Sequence, residues 1–245
     1  MNRMFLLIRK DIKEAFASKS TMLYVVILAV IAFPYYEYAK SSLDRMVQQG
    51  ASLNILIETA QMSVSSMFVS LPLVLIMLSC SVFAAYAILL DKTKRSLESL
   101  LATPLSLRQL WVAKNLAVTL PSVVIGVGVS IILLVLLNIL VYTPVTGVIM
   151  PDISALISGL ILTPLLTFLT VSIVAFLQFV MTNPRYASMV FSMLFVSIYL
   201  LTITGVSANW DFNLIYLGMI AVLFLINVFL SRLLTKEKIV LSSKA

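Results

Sequence analysis

Long apolar runs broken by short polar stretches set the rhythm of this chain. A helix needs about 20 consecutive apolar residues to cross the hydrocarbon core of a bilayer. Six such runs are predicted, over residues 21–38, 63–90, 116–142, 153–181, 186–204 and 212–230. Residues 39–62 make the longest connection, with room for a short surface helix over 52–61. The stretches 143–152, 183–185 and 205–211 are short turns. Residues 1–16 have a different period. Met1, Met4, Phe5, Ile8, Ile12, Ala15 and Phe16 recur at i, i+3, i+4, i+7 spacing, while Arg9, Lys10 and Lys13 lie mostly off that stripe. This predicts an amphipathic helix lying in the membrane interface. The plainer alternative is a polar lead-in that only supplies positive charge.

Composition agrees with that rhythm. Of 245 residues, 61% are hydrophobic and 11% charged, against about 45–50% and about 25% in a soluble domain. A soluble enzyme, a disordered chain and a coiled coil are excluded. The expected fold is all-α and integral to the membrane, one transmembrane domain over residues 1–245 with a tail at 231–245. No A-x-A cleavage site stands convincingly before Thr21, so the N-terminus is expected to be that of the mature chain.

Charge orients the spans. The net charge is +7, and the basic residues sit beside apolar runs, so topology explains them better than nucleic acid does. Arg3, Arg9, Lys10, Lys13 and Lys19 precede span 1. Lys92, Lys94, Arg95, Arg108 and Lys114 follow span 2. Arg185 follows span 4, and Arg232, Lys236, Lys238 and Lys244 follow span 6. Only Lys40 and Arg45 remain for the other side, which also carries Glu37, Asp44, Glu58, Asp152 and Asp211. Six spans with both termini cytoplasmic satisfy this asymmetry, and an odd number destroys it.

Absences narrow the chemistry. The chain has no histidine, which removes histidine general acid–base catalysis and histidine metal ligation. Its one cysteine, Cys80, lies within an apolar run and is expected to be a small core residue. No G-x-x-x-x-G-K-[ST] occurs, so the chain carries no P-loop of its own. No repeat and no inverted symmetry between the halves is visible, which weighs against a secondary carrier built on such repeats.

The stretch 89–115, LLDKTKRSLESLLATPLSLRQLWVAKN, is charged and helical in pattern, with Pro104 interrupting it. Leu97, Leu100 and Leu101 give an apolar face, and Lys94, Arg95 and Glu98 a polar rim. Such a helix, fixed to two spans, is suited to dock on a soluble partner and transmit its movement. An ordinary amphipathic loop helix on lipid headgroups has the same pattern.

Within the six-span frame, residues 91–104 resemble the intracellular coupling segment of type-2 ABC exporter permeases. Asp91 takes the acidic position at the end of span 2. Ser96-Leu97-Glu98 stands where that family has Thr-Leu-Glu, and Leu100-Leu101-Ala102-Thr103-Pro104 matches the end of the motif closely. Lys92 to Arg95 depart from the pattern, with Thr93 and Arg95 in place of an acidic residue and a glycine. IRKDIKEAF resembles the family's interfacial connecting helix. The resemblance implies a permease subunit, an exporter more than an importer, in a prokaryotic cell membrane. It would form a pathway with a second permease copy or a homologous permease. Separate P-loop ATPase subunits would dock on the cytoplasmic segment 91–110, through Asp91, Lys94, Arg95, Leu97, Glu98, Leu101, Thr103 and Pro104. ATP and magnesium would belong to those partners, with no cofactor and no catalysis in this chain. The family often has two re-entrant half-helices between spans 5 and 6. Residues 205–211 are too few for a full pair, so either the element is reduced or span 5 bends back at Gly205.

Polar groups within spans are costly and are functional candidates. Asn138, Gln178 and Asn227 are the candidate pathway residues, beside Ser79, Ser81, Ser130, Thr167, Thr170, Ser172, Ser192 and Ser197, which fit helix packing better. Gly126 and Gly128 would allow close helix approach or bending, and Pro164 a kink. Twelve methionines and thirteen phenylalanines suit an amphipathic or hydrophobic substrate. A non-ATP-driven carrier or channel subunit would be expected to carry a charged residue mid-span, and an intramembrane enzyme a convergent set of acid, serine or lysine side chains. Neither pattern is evident.

Overall fold

A computed structural model describes residues 3–17, 19–85, 87, 106–181, 183–207 and 211–233. Among them every regular element is helical. We number the helices α1 (Arg3–Phe16), α2 (Lys19–Gln48), α3 (Leu53–Ala84), α4 (Leu107–Leu137), α5 (Ile153–Ile157), α6 (Thr163–Val180), α7 (Pro184–Ser207) and α8 (Phe212–Leu233). α4 runs on into a π-helical turn, Asn138–Tyr142, and a second such turn, Ser158–Leu162, joins α5 to α6.

Five of these stretches are long and apolar enough to cross a membrane: Leu53–Ala84, Leu107–Tyr142, Ile153–Val180, Tyr186–Gly205 and Phe212–Leu233. In the most apolar part of the second only 22% of residues are buried, and in the last two only 17%. Val124, Leu214 and Leu225 stand about two-thirds exposed or more. Apolar side chains facing outward over whole helices belong in lipid, since water would penalise each by roughly 1.5–3 kcal/mol. The chain is thus built as an integral, multi-helix membrane protein.

α3 is the axis. Val69, Leu71, Leu73, Leu75, Ile76, Met77 and Cys80 are all fully buried on it, so it is largely enclosed, with one partly covered stripe through Ser66, Ser70, Val74 and Leu78. α4 lies closest. A Cβ built on Gly126 of α4 would sit 2.5 Å from Ile76 Cγ1 and 2.9 Å from the Ile76 backbone nitrogen. Glycine is therefore required here for close backbone approach. Gly128 faces open space, so of the two glycines only Gly126 serves packing. Gly159 plays the same part against the backbone of Phe68.

Residues 39–62 differ from the expected loop. α2 continues to Gln48 and α3 starts at Leu53, with Gly50 at φ +70° turning the chain between them. Ala39 and Leu43 on one helix pack with Leu56, Ala60 and Val64 on the other. These residues repeat every four positions, so each helix keeps an apolar stripe into the stretch read from sequence as a loop. At 1.5 Å per residue the 30-residue α2 is about 45 Å long, well beyond the roughly 30 Å hydrocarbon core.

α4 also begins earlier than residue 116. Ser106 accepts a hydrogen bond from the Gln109 backbone N–H, and Gln109 returns one from the Ser106 N–H, a complete capping box. At Pro164, the expected kink position, the helix carries a π-helical turn just before the proline, which stands inside the continuous helical stretch Ile153–Val180. α7 remains helical through Gly205 to Ser207, so span 5 does not bend back at that glycine.

Candidate functional site

The end of the bundle where α1 meets the start of α4 holds a buried ion pair. Lys114 Nζ donates to Asp11 Oδ2 at 2.7 Å, with the two side chains 0% and 4% exposed. Neighbouring polar residues bolt the same turn to α6. Trp111 Nε1 donates to the Ser172 carbonyl at 2.9 Å, and Asn115 Nδ2 to the Phe168 carbonyl at 3.2 Å. Thr119 Oγ1 donates to Asn115 Oδ1. Trp111, Lys114 and Asn115 follow i, i+3, i+4 spacing, so they share one helix face.

This changes the picture of α1. Its buried face is Leu7, Ile8, Asp11 and Ala15, while Phe5 and Phe16 are exposed. Of the expected stripe, Ile8 and Ala15 are buried and Met4 and Ile12 pack against the same core, while Phe5 and Phe16 fall outside it and Leu7 and Asp11 join it. Lys114, counted among the solvated cytoplasmic cations, is instead fully buried. The signal was present in the sequence: a lysine on the face of Trp111 and Asn115, and an acid on the face of Ile8 and Ala15.

The segment that this end frames is residues 88–105. The predicted coupling residues Asp91, Lys94, Arg95, Leu97, Glu98, Leu101, Thr103 and Pro104 lie outside the described residues. What is described is their mounting. The segment links α3, the largely enclosed axis, to α4, which packs on it through Gly126 and is tied to α1 and α6.

The three candidate pathway residues are not brought together. Asn138 donates Nδ2–H to the Leu134 carbonyl at 3.0 Å and accepts the Ile149 backbone N–H at 2.7 Å through Oδ1. It therefore fastens the connection after α4. Asn227 donates Nδ2–H to the Leu169 and Leu223 carbonyls at 3.0 and 2.9 Å, joining α8 to α6. Gln178 is buried and lines a small cavity of about 110 Å³ with Cys80, Ser188 and Ser192. Ser79, Ser130, Thr167 and Thr170 each donate to the carbonyl four residues back in their own helix. They are packing residues, as their type suggested.

A larger cavity lies at the opposite end of the bundle. It encloses about 660 Å³ between α2, α3, the end of α4 and α7. Tyr35, Tyr38, Tyr142 and Tyr199 line it, with Ser63, Ser66 and Ser70. Tyr35, Ser70 and Tyr199 thus bring hydroxyls from three helices to one cavity. Tyr142 is buried and Tyr38 is 66% exposed, so the cavity has a closed floor and an open mouth. Sequence reasoning took the tyrosines at 35, 36 and 38 as an interfacial belt. That Tyr35 and Tyr38 share a cavity with Ser70 and Tyr199 depends on α2, α3 and α7 being neighbours, which no local pattern specifies.

The polar groups around this end also tie the outer connections. Gln61 Nε2 donates to Asp152 Oδ1 at 2.5 Å, the Asp152 backbone N–H donates to Ser65 Oγ at 2.9 Å, and Ser158 Oγ donates to Asn213 Oδ1 at 2.7 Å. Among the described residues, no group of three or more acidic or cysteine side chains is placed to hold a metal ion. Compared with known protein families, curated proteins and solved structures, the chain matches none of them.

Proposed function

We propose that this chain is the permease subunit of an ATP-driven transporter of the type-2 ABC exporter kind. It crosses a prokaryotic cell membrane six times, with α2 as the first span and both termini cytoplasmic. Two such subunits, or this one with a related permease, form the pathway. Separate P-loop ATPases dock beneath the segment 91–110 and bring the ATP and magnesium, so no hydrolysis occurs on this chain.

The observation that carries this reading is the mounting of that segment. Residues 88–105 join the largely enclosed helix α3 to the helix packed most closely on it. A partner that pulls the segment moves the centre of the bundle rather than its rim, as a device converting ATPase closure into a change of access must do. The DKTKRSLESLLATP motif supplies the docking chemistry, an apolar Leu97/Leu101 face with a charged rim. Docking of α1 by a buried ion pair adds a second lever at the same end.

A non-ATP-driven carrier is the alternative. It calls for a charged group on the pathway, whereas the buried Lys114–Asp11 pair joins α4 to α1 near the bundle's end. Co-expression with P-loop ATPases, followed by purification on the permease alone, tests the proposal. A bound ATPase whose activity depends on Leu101 is expected. Transport that proceeds with no ATPase present contradicts it.

A further inference from the structure

We infer that the tyrosine- and serine-lined cavity between α2, α3, the end of α4 and α7 binds a neutral amphiphile whose head group carries hydroxyls. At about 660 Å³ it has the volume of a small-molecule site. Among the described residues, its wall carries no charged side chain. A charged head group would be taken there without a counter-charge, which is strongly penalised in a low-dielectric setting. Tyrosine and serine hydroxyls both donate and accept hydrogen bonds. They therefore match groups that do both, which are hydroxyls themselves, better than pure acceptors such as phosphate or pure donors such as ammonium. Tyrosine rings add flat apolar faces on which the C–H face of a sugar ring can lie.

The rest of the wall suits a chain. Met67, Val64 and Ile203 are apolar, and the flexible thioether of Met67 adapts to an irregular tail. Hydroxyls of Tyr35, Ser70 and Tyr199, from three helices, line the same cavity. Tyr38, Met62 and Ile203 are exposed at its edge, so the cavity can be reached from outside the bundle. The inference rests on the chain lying in a membrane and not on what drives it. Binding measured without an ATPase therefore leaves the proposed function untouched whichever way it falls.

The test uses the full chain in phosphatidylcholine nanodiscs. The probe is decyl β-D-glucoside with a diazirine in the alkyl chain, beside the same chain ending in trimethylammonium or in sulfate. The glucoside is expected to label peptides of α2, α3 and α7 saturably. Excess unlabelled decyl glucoside displaces it and free glucose does not. The charged probes label on the order of tenfold less, following the penalty for an unpaired charge. Tyr35→Phe and Tyr199→Phe are each expected to weaken binding about fivefold, one hydrogen bond's worth, and Ser70→Trp to abolish it by filling the cavity. The double Tyr35→Phe/Tyr199→Phe variant removes only hydroxyls, so it decides the matter even where Ser70→Trp fails to fold. Labelling that rises without saturation, equal labelling by the charged probes, displacement by free glucose, or a double variant that binds like the parent would each overturn the inference.

Discussion

Lys114 of α4 and Asp11 of α1 meet at 2.7 Å with almost no solvent on either. A buried pair of this kind is weak evidence for net stability, because desolvation offsets the attraction, yet breaking it leaves an uncompensated charge. Asp11→Asn and Lys114→Met are each expected to lower unfolding stability by about 3–5 kcal/mol. The double variant is expected to recover part of the loss, with a coupling of about 1–3 kcal/mol. Thermal unfolding of the four proteins in detergent measures this. Strictly additive single losses would mean that the two charges do not act as a pair.

Gly126 makes a sharper packing prediction. Gly126→Leu forces side-chain atoms into the backbone of Ile76 and is expected to cost about 1–3 kcal/mol or to prevent folding. Gly128→Leu, in open space on the same helix, is expected to change the unfolding temperature little. Equal effects at the two positions would show that α3 and α4 do not approach at Gly126.

Asn138 is expected to act on the fold and not on transport. Removing its side chain in Asn138→Ala frees the Ile149 backbone N–H, a cost of about 1–3 kcal/mol for a buried donor. Proteolysis should then cut the connection 143–152 faster, while ligand selectivity stays unchanged. A selectivity change with normal protease resistance would return Asn138 to the pathway.

Topology has a direct test. Cys80 is fully buried, so a Cys80→Ala background gives a chain free of reactive thiols. Arg45→Cys is expected to react with an impermeant maleimide on whole cells, and Arg185→Cys only after permeabilisation. The reverse pattern would invert the orientation, and reaction of both on whole cells would break the six-span count.

What the sequence made legible follows from the range of each signal. The long apolar runs are local and appear in the helices as expected; the capping box at Ser106 and Gln109 is equally local but lay outside the span read from residue 116. The extension of α2 and α3 into residues 39–62 was written in Ala39, Leu43, Leu56 and Ala60, but polar neighbours such as Lys40, Asp44 and Arg45 masked the stripe. The Asp11–Lys114 pair and the cavity that Tyr35 shares with Ser70 and Tyr199 are long-range. Each side chain has an ordinary local reading, a solvated charge or an interfacial ring, until the packing places its partner beside it. Asn227 shows the converse. A polar residue within a span looked like a pathway group, and the neighbouring helix supplies the Leu169 carbonyl that makes it a tie between α8 and α6.

The central claim is that the segment 91–110 couples this membrane bundle to an ATPase. The most direct measurement is the ATPase rate of a P-loop partner, encoded beside this chain and co-purified with it in nanodiscs, with Leu101→Arg and Glu98→Lys compared against the parent. Stable co-purification is predicted for the parent. In the variants, loss of the partner or loss of the rate change that the permease imposes is predicted. Undiminished co-purification together with an unaltered rate in both variants would contradict the account.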